Sequence, residues 1–155
     1  MRKQIIDRAP QKPSPADQSW LDLARLARVE ITSEQADHPI ESALGHGSGW
    51  RADQPGEQTI RLLFDSPIRL RHIRLRYEET QQERTQEFVL RWSRDGGESY
   101  QEILRQQFHF SPPGTAVEAE DYEVDLQSVT ALELKIIPNI SGGAARASLA
   151  QLRVA

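Results

Sequence analysis

At 155 residues and without cysteine, the chain has room for one ordinary domain held by packing alone, which excludes a disulfide framework, a thiolate metal site and a cysteine nucleophile. A hydrophobic fraction of 37 %, a charged fraction of 27 % and a net charge of -4 describe a soluble, mildly acidic chain and argue against a bulk nucleic-acid binder. Of the 19 basic residues, all but Lys3, Lys12 and Lys135 are arginine.

Residues 1–18 contain Pro10, Pro13 and Pro15 and read as a polar arm outside the fold, or as one that Ile5 and Ile6 pin onto it. No apolar run suits a signal peptide or a membrane span, so a cytoplasmic protein without a membrane partner is expected. After Ser19, a candidate N-cap, Trp20, Leu23, Leu26 and Ala27 recur at helical spacing and predict one short helix. From Arg28 the period becomes two.

"RVEIT" reads as a strand, and "QTIRLLFD" places Ile60, Leu62 and Phe64 on one face until Ser66-Pro67 breaks it. "RLRHIRLRYEE" turns Ile73, Leu75 and Tyr77 inward and His72, Arg74 and Arg76 outward. "RTQEFVLRWS" follows, then the turn "RDGGES", then "YQEILRQQFHF". "DYEVDL" and "TALELKII" read as two further strands, "PNISGGAAR" as a loop, and "SLAQLRVA" as the last strand. About eight strands and one short helix spell an all-β antiparallel sandwich over residues 19–155.

In such a sandwich the long connections, 34–50, 79–84, 111–118 and 138–147, gather at one end, where binding residues tend to sit. Arg84 and Gln86 open the inward row of their strand at that end. They are either donors lining the mouth of a site, or partners for loop carbonyls and for Glu78 or Glu79.

The order "ITSEQADHPIESALGHGSGWRADQPGEQTIRLLFDSPIRLRHIRL", then "RTQEFVLRWSRDGGESY", then a last strand after a glycine loop resembles the discoidin-like family, also called coagulation-factor type C or galactose-binding-like domains. Trp50 before a short linker, the "SP" after "QTIRLLF" and the Ser-x-Asp-Gly turn in "RWSRDGG" carry the likeness over residues 28–155. "RTQEF", "FSPPG" and "GGAARASL" also resemble an uncharacterised bacterial group often labelled carbohydrate-binding. The resemblance implies a jelly-roll sandwich and a non-catalytic module that recognises a carbohydrate or small polar ligand through loops at one end. Carried over by position, the ligand residues are His38, Trp50, Arg51, Arg84, Asn139 and Arg146, with Gln86 joining Arg84 as a donor. The alternative within the same fold is a cytoplasmic protein–protein adaptor. Where several relatives set an acidic residue for a structural calcium, this chain has Gln151, so no cofactor is expected; backbone carbonyls with Asp37 or Glu41 would be the remaining oxygen ligands.

Trp50 is open to two readings, a sugar platform beside Arg51 or a plug that closes the core behind "GHGSG". Gln106, Phe108 and Phe110 form either a stacking surface or plain core. The row Arg69, Arg71, Arg74 and Arg76 is a phosphate-contacting stripe or, preferably, a solvated face paired with glutamates. His38, His46, His72 and His109 lack ligand spacing, and no Gly-x-Ser-x-Gly or His-Glu-x-x-His occurs, so neither a metal site nor an enzyme is expected.

Overall fold

The computed structural model describes residues 19–155; the polar arm at 1–18 and its pinning by Ile5 and Ile6 lie outside the described residues. In chain order the elements are α1 (Leu23–Leu26), β1 (Ala27–Ile31), α2 (Glu41–Leu44), β2 (Trp50–Pro55), β3 (Gln58–Glu78), β4 (Arg84–Ser93), β5 (Gln101–Phe110), β6 (Val117–Ile137), β7 (Arg146–Leu149) and β8 (Gln151–Val154). One sheet runs β1-β3-β6-β4-β5, with β8 added along β3, and β2 pairs with β7 in a separate ribbon. All named strand pairs are antiparallel. The helix is a single turn that starts at Asp22 and takes no side-chain cap from Ser19. A second single turn, α2, stands inside the segment read as a loop, and "SLAQLRVA" divides into β7 and β8 at Ala150.

The two longest strands organise everything else. β3 and β6 pair from Gln58↔Ile136 to Glu78↔Val117, so Ser66-Pro67 does not end a strand, and "DYEVDL" and "TALELKII" are one strand. At those places the register shifts, from Leu63↔Ala131 to Ile68↔Val129, and Ser128 takes φ 60. A bulge tolerates a proline without N–H and bends the strand that carries it. The bend folds the ribbon over on itself. Glu79, just past β3, reaches Arg84 across the turn into β4, and Arg84 in turn bonds Pro138, beside Ile136, the partner of Gln58. Both ends of β3 meet at the long-loop end, and the doubled ribbon encloses the core.

Ile60, Leu62, Phe64 and Leu70 face that core, and a register shift between Leu70 and His72 then moves the inward row to Ile73, Leu75 and Tyr77. His72, read as outward, is buried because Trp20 lies edge-on across it at 5.4 Å. Its Nε2 sits 3.1 Å from Asp121 Oδ1, and the Arg74 guanidinium lies 5.0 Å from the Trp20 ring. The arginine row is largely paired: Arg69 with Asp125, Arg74 with Asp121 and Arg76 with Glu78.

The outer face of the six-stranded sheet carries charges that alternate along the path β1-β3-β6-β4-β5: Glu30, Arg61, Glu133, Arg91 and Glu102. Opposite charges directly across a ladder attract, whereas like charges there repel. Glu133 is 1 % exposed, with Arg61 Nε at 2.7 Å and Arg91 Nε at 3.4 Å. The hydrogen bond that Arg61 donates to Glu133 lifts the Arg61 pKa above its ordinary value, against the opposing effect of burial. Glu133→Ala leaves two guanidiniums flanking an empty position and is expected to lower stability by about 1–3 kcal/mol; urea unfolding checks this, and an unchanged midpoint would contradict the role given to the row.

Candidate functional site

Arg84 begins β4 with its side chain enclosed, 0 % exposed. Its Nε donates to Glu79 Oε1 at 2.6 Å, and its Nη1 donates to the Pro138 carbonyl at 2.8 Å and to Gln86 Oε1 at 3.2 Å. The Phe110 ring, opposite Arg84 in the β4–β5 ladder, lies 4.8 Å from the guanidinium carbon. A guanidinium is the cation best suited to this enclosure, since it is weakly hydrated and forks between partners. Burial pushes the Glu79 carboxyl up, but the Arg84 guanidinium and the Gln81 backbone N–H outweigh it and hold the group below its ordinary value.

The polar chain continues inward. Gln86 Nε2 donates to Glu118 Oε1 at 3.4 Å, Gln106 Nε2 donates to Glu118 Oε2 at 3.0 Å and to Glu120 Oε1 at 2.6 Å, and Tyr122 Oη donates to Gln106 Oε1 at 2.6 Å. Glu118 is 1 % exposed and meets amides on both oxygens; burial, then the neighbouring Glu120, push its carboxyl up to about 7. Tyr77 Oη is buried with no hydrogen-bond partner, and burial raises its pKa well above the ordinary value. The expectation that Arg84 and Gln86 stand as donors at the mouth is thus corrected. Both are buried, and their bonds go to Glu79, Pro138 and Glu118.

Of the two readings of Trp50, the plug of the core holds and the sugar platform is corrected. The residue is 1 % exposed, and its Nε1 donates to the Ser33 carbonyl at 3.0 Å, so no ring face is open to a sugar. Gly49 explains how it gets there: φ is 102°, and a Cβ would stand 2.8 Å from the Leu149 carbonyl, so only glycine brings the chain close enough to seat Trp50 opposite Leu149. Phe110 is likewise core, with Phe108 packed edge-on against it at 4.9 Å.

What opens to solvent at the long-loop end is a cleft of about 190 Å³, lined by Arg51, Glu78, Glu79, Gln81, Gln82, Ala144, Ala145, Arg146 and Ser148. The β2–β7 ribbon supplies one wall: Arg51 pairs with Ser148, and Arg146 lies two residues before Ser148 on the same exposed face. The turn after β3 supplies the other. Two predicted residues, Arg51 and Arg146, are brought together here. His38 and Asn139 support the surroundings: the His38 carbonyl accepts from the Arg51 backbone N–H at 3.1 Å, and Asn139 Oδ1 accepts from the Ser141 N–H at 3.1 Å. Glu79, Gln81, Gln82 and Ser148 were missed, although "EETQQER" is a conspicuously polar loop.

A larger, mostly apolar groove of about 760 Å³ lies elsewhere, between α1, α2 and the edge of β1, lined by Leu21, Leu23, Val29, Ile31, Ile40 and Leu44 among others. At the short-turn end Asp95 is held at about 2, chiefly by hydrogen bonds from Ser93 and Ser99, which accounts for a turn and no more. Among the described residues no group of His, Asp and Glu is placed to hold a metal ion, and no helix is long and apolar enough to cross a membrane.

No protein-family model matches the chain, and no curated protein matches it. Solved structures do. The family 32 carbohydrate-binding module from C. perfringens NanJ, in complex with galactose, is 14 % identical with a TM-score of 0.60 over 87 % of this chain and 96 % of that one. A family 32 module from a Clostridium perfringens family 31 glycoside hydrolase gives 17 % identity and a TM-score of 0.65, over 87 % and 93 %. The module of AlyQ in complex with 4,5-unsaturated mannuronic acid gives 14 % and 0.63, over 89 % and 98 %. The chain therefore has the discoidin-like, galactose-binding-like sandwich fold.

Two outcomes check these assignments. Below about 4.5 the Glu118 carboxyl is protonated in both folded and unfolded chains; between 4.5 and about 7 the unfolded chain releases the proton first, so stability falls as pH rises through this window and stays lower above it. Glu118→Gln is expected to flatten that fall in pH-dependent urea unfolding, and an unaltered profile would contradict it. Trp50→Ala is expected to cost about 3–5 kcal/mol, whereas a loss below about 1 kcal/mol would place the ring outside the core.

Proposed function

We propose that the protein is a non-catalytic binding module that takes a saccharide into the cleft between the β2–β7 ribbon and the turn after β3. The observation that carries this reading is the cleft itself, a small polar concavity with donors on one wall and acceptors on the other, set where the long loops meet a rigid sandwich. Sugar hydroxyls both donate and accept, so a site of mixed arginine, glutamine and carboxylate suits them. Arg51 and Arg146 act as donors, Glu79 as an acceptor, and Gln81 and Gln82 adapt to either role. Arg84 is a positioning residue that holds Glu79 from beneath, Asn139 shapes the neighbouring turn, and Trp50 and Gln86 are structural. The neighbours support this choice over the protein-adaptor reading, since those named above are carbohydrate-binding modules, bound in two cases to a sugar.

Isothermal titration with a panel of neutral and acidic oligosaccharides tests the proposal. One saccharide per chain is expected to bind saturably. Arg146→Gln, exposed and so harmless to folding, is expected to weaken it at least about tenfold, the loss of one charge-assisted hydrogen bond. No saturable heat with any saccharide, or full affinity in the variant, would contradict the site.

A further inference from the structure

The charges around the cleft are not equivalent, and their pairing says what the ligand should carry. Four charged residues line it: Arg51, Arg146, Glu78 and Glu79. Both carboxylates are paired with cations that do not line it, which offsets their charge and leaves them able to accept a further hydrogen bond. Glu79 accepts from Arg84 at 2.6 Å and from the Gln81 N–H at 3.0 Å, and Glu78 accepts from Arg76 at 3.1 Å. Arg51 and Arg146 have neither an ion pair nor a side-chain hydrogen bond among the described residues, where most other arginines are paired. They project from the same exposed face of the β2–β7 ribbon. Arg84, enclosed and paired with Glu79, offsets that carboxylate's charge from behind the cleft.

We infer that the cleft selects an acidic saccharide, one whose carboxylate or sulfate is clasped by the Arg51 and Arg146 guanidiniums. The inference rests on the saccharide reading above and adds the charge of the ligand. A planar guanidinium offers paired N–H groups that match the oxygens of either anion, and two adjacent unpaired cations relieve their mutual repulsion when an anion sits between them. Glu78 and Glu79 do not oppose the anion as free carboxylates would, because each has a guanidinium of its own. The remaining hydroxyls of the sugar fall to Gln81, Gln82 and Ser148.

The test compares three probes by calorimetric titration of the full chain at low and at high sodium chloride: trigalacturonate, a sulfated galactose trisaccharide and neutral galactotriose. At least one acidic probe is expected to bind about tenfold or more tightly than the neutral one, with the advantage shrinking as salt rises. Which acid binds more tightly tells carboxylate from sulfate. Arg51→Gln and Arg146→Gln are expected to erase the preference while leaving the melting temperature unchanged, and Arg71→Gln, exposed on the outer face away from the cleft, to leave it intact. A neutral probe that binds as well as both acids, or a preference that survives both cleft variants, overturns the inference while the saccharide reading stands. Failure of both acidic probes overturns the inference, and the saccharide reading falls with it only if the wider panel of neutral and acidic oligosaccharides is silent as well.

Discussion

A guanidinium that is wholly enclosed depends on the acceptors the fold brings to it, and Arg84 is in that position: its Nε and Nη1 meet acceptors, while its Nη2 is buried without one. Removing one partner of such a buried group typically costs 3–5 kcal/mol, because the charge left behind has no solvent to meet it. The acceptors come from three separate stretches: Glu79 in the turn after β3, Pro138 after β6, and Gln86 on β4 itself. One side chain thereby ties the loops that frame the cleft to the sheet that supports them. Through Gln86 it also reaches Glu118, and from there Gln106, Glu120 and Tyr122, so the same polar network joins β4, β5 and β6 inside the sandwich.

The scaffold beneath is built to keep that end in place. The β3–β6 ribbon bends at matching bulges and brings its two halves to the same end, with apolar rows on both halves facing one core. On the outer face the alternating row from Glu30 to Glu102 crosses the five strands of the path β1-β3-β6-β4-β5 in register. A one-residue slip of any strand would place a charge where an apolar side chain belongs, so the row and the core enforce the same register. The cleft is in this sense a consequence of the fold: its walls are a short ribbon and a tight turn, both anchored to elements that cannot slide.

Alternation made most strands legible, and it correctly turned Arg84 and Gln86 inward. It could not say what they meet, because Glu118 lies 32 residues from Gln86 and Pro138 lies 54 residues from Arg84. A hint was present in "VEAEDYEVDL", whose inward row opens with Glu118, Glu120 and Tyr122, polar groups needing partners as much as the arginine does. Ser66-Pro67 looked like a strand end, since local sequence does not reveal that a ladder continues around a bulge. β2 escaped notice because Arg51, Asp53, Gln54 and Pro55 are exposed and only Trp50 and Ala52 point inward. His72 read as outward because Trp20, which covers it, is 52 positions away in the chain. Of the site, Arg51 and Arg146 were found through resemblance, whereas Glu79 and the glutamines after it were not, since a loop has no periodicity from which to read direction.

The end of the sandwich tied together by Arg84 is where we propose that the ligand binds. The most direct measurement is a backbone amide chemical-shift map, by two-dimensional NMR, during titration with the tightest saccharide found. Saturable shifts are expected to concentrate at 78–82, at Arg51 and at 144–148, with residues around Leu23, Ile40 and Leu44 unmoved. Shifts centred instead on the apolar groove between α1, α2 and β1 would contradict that placement.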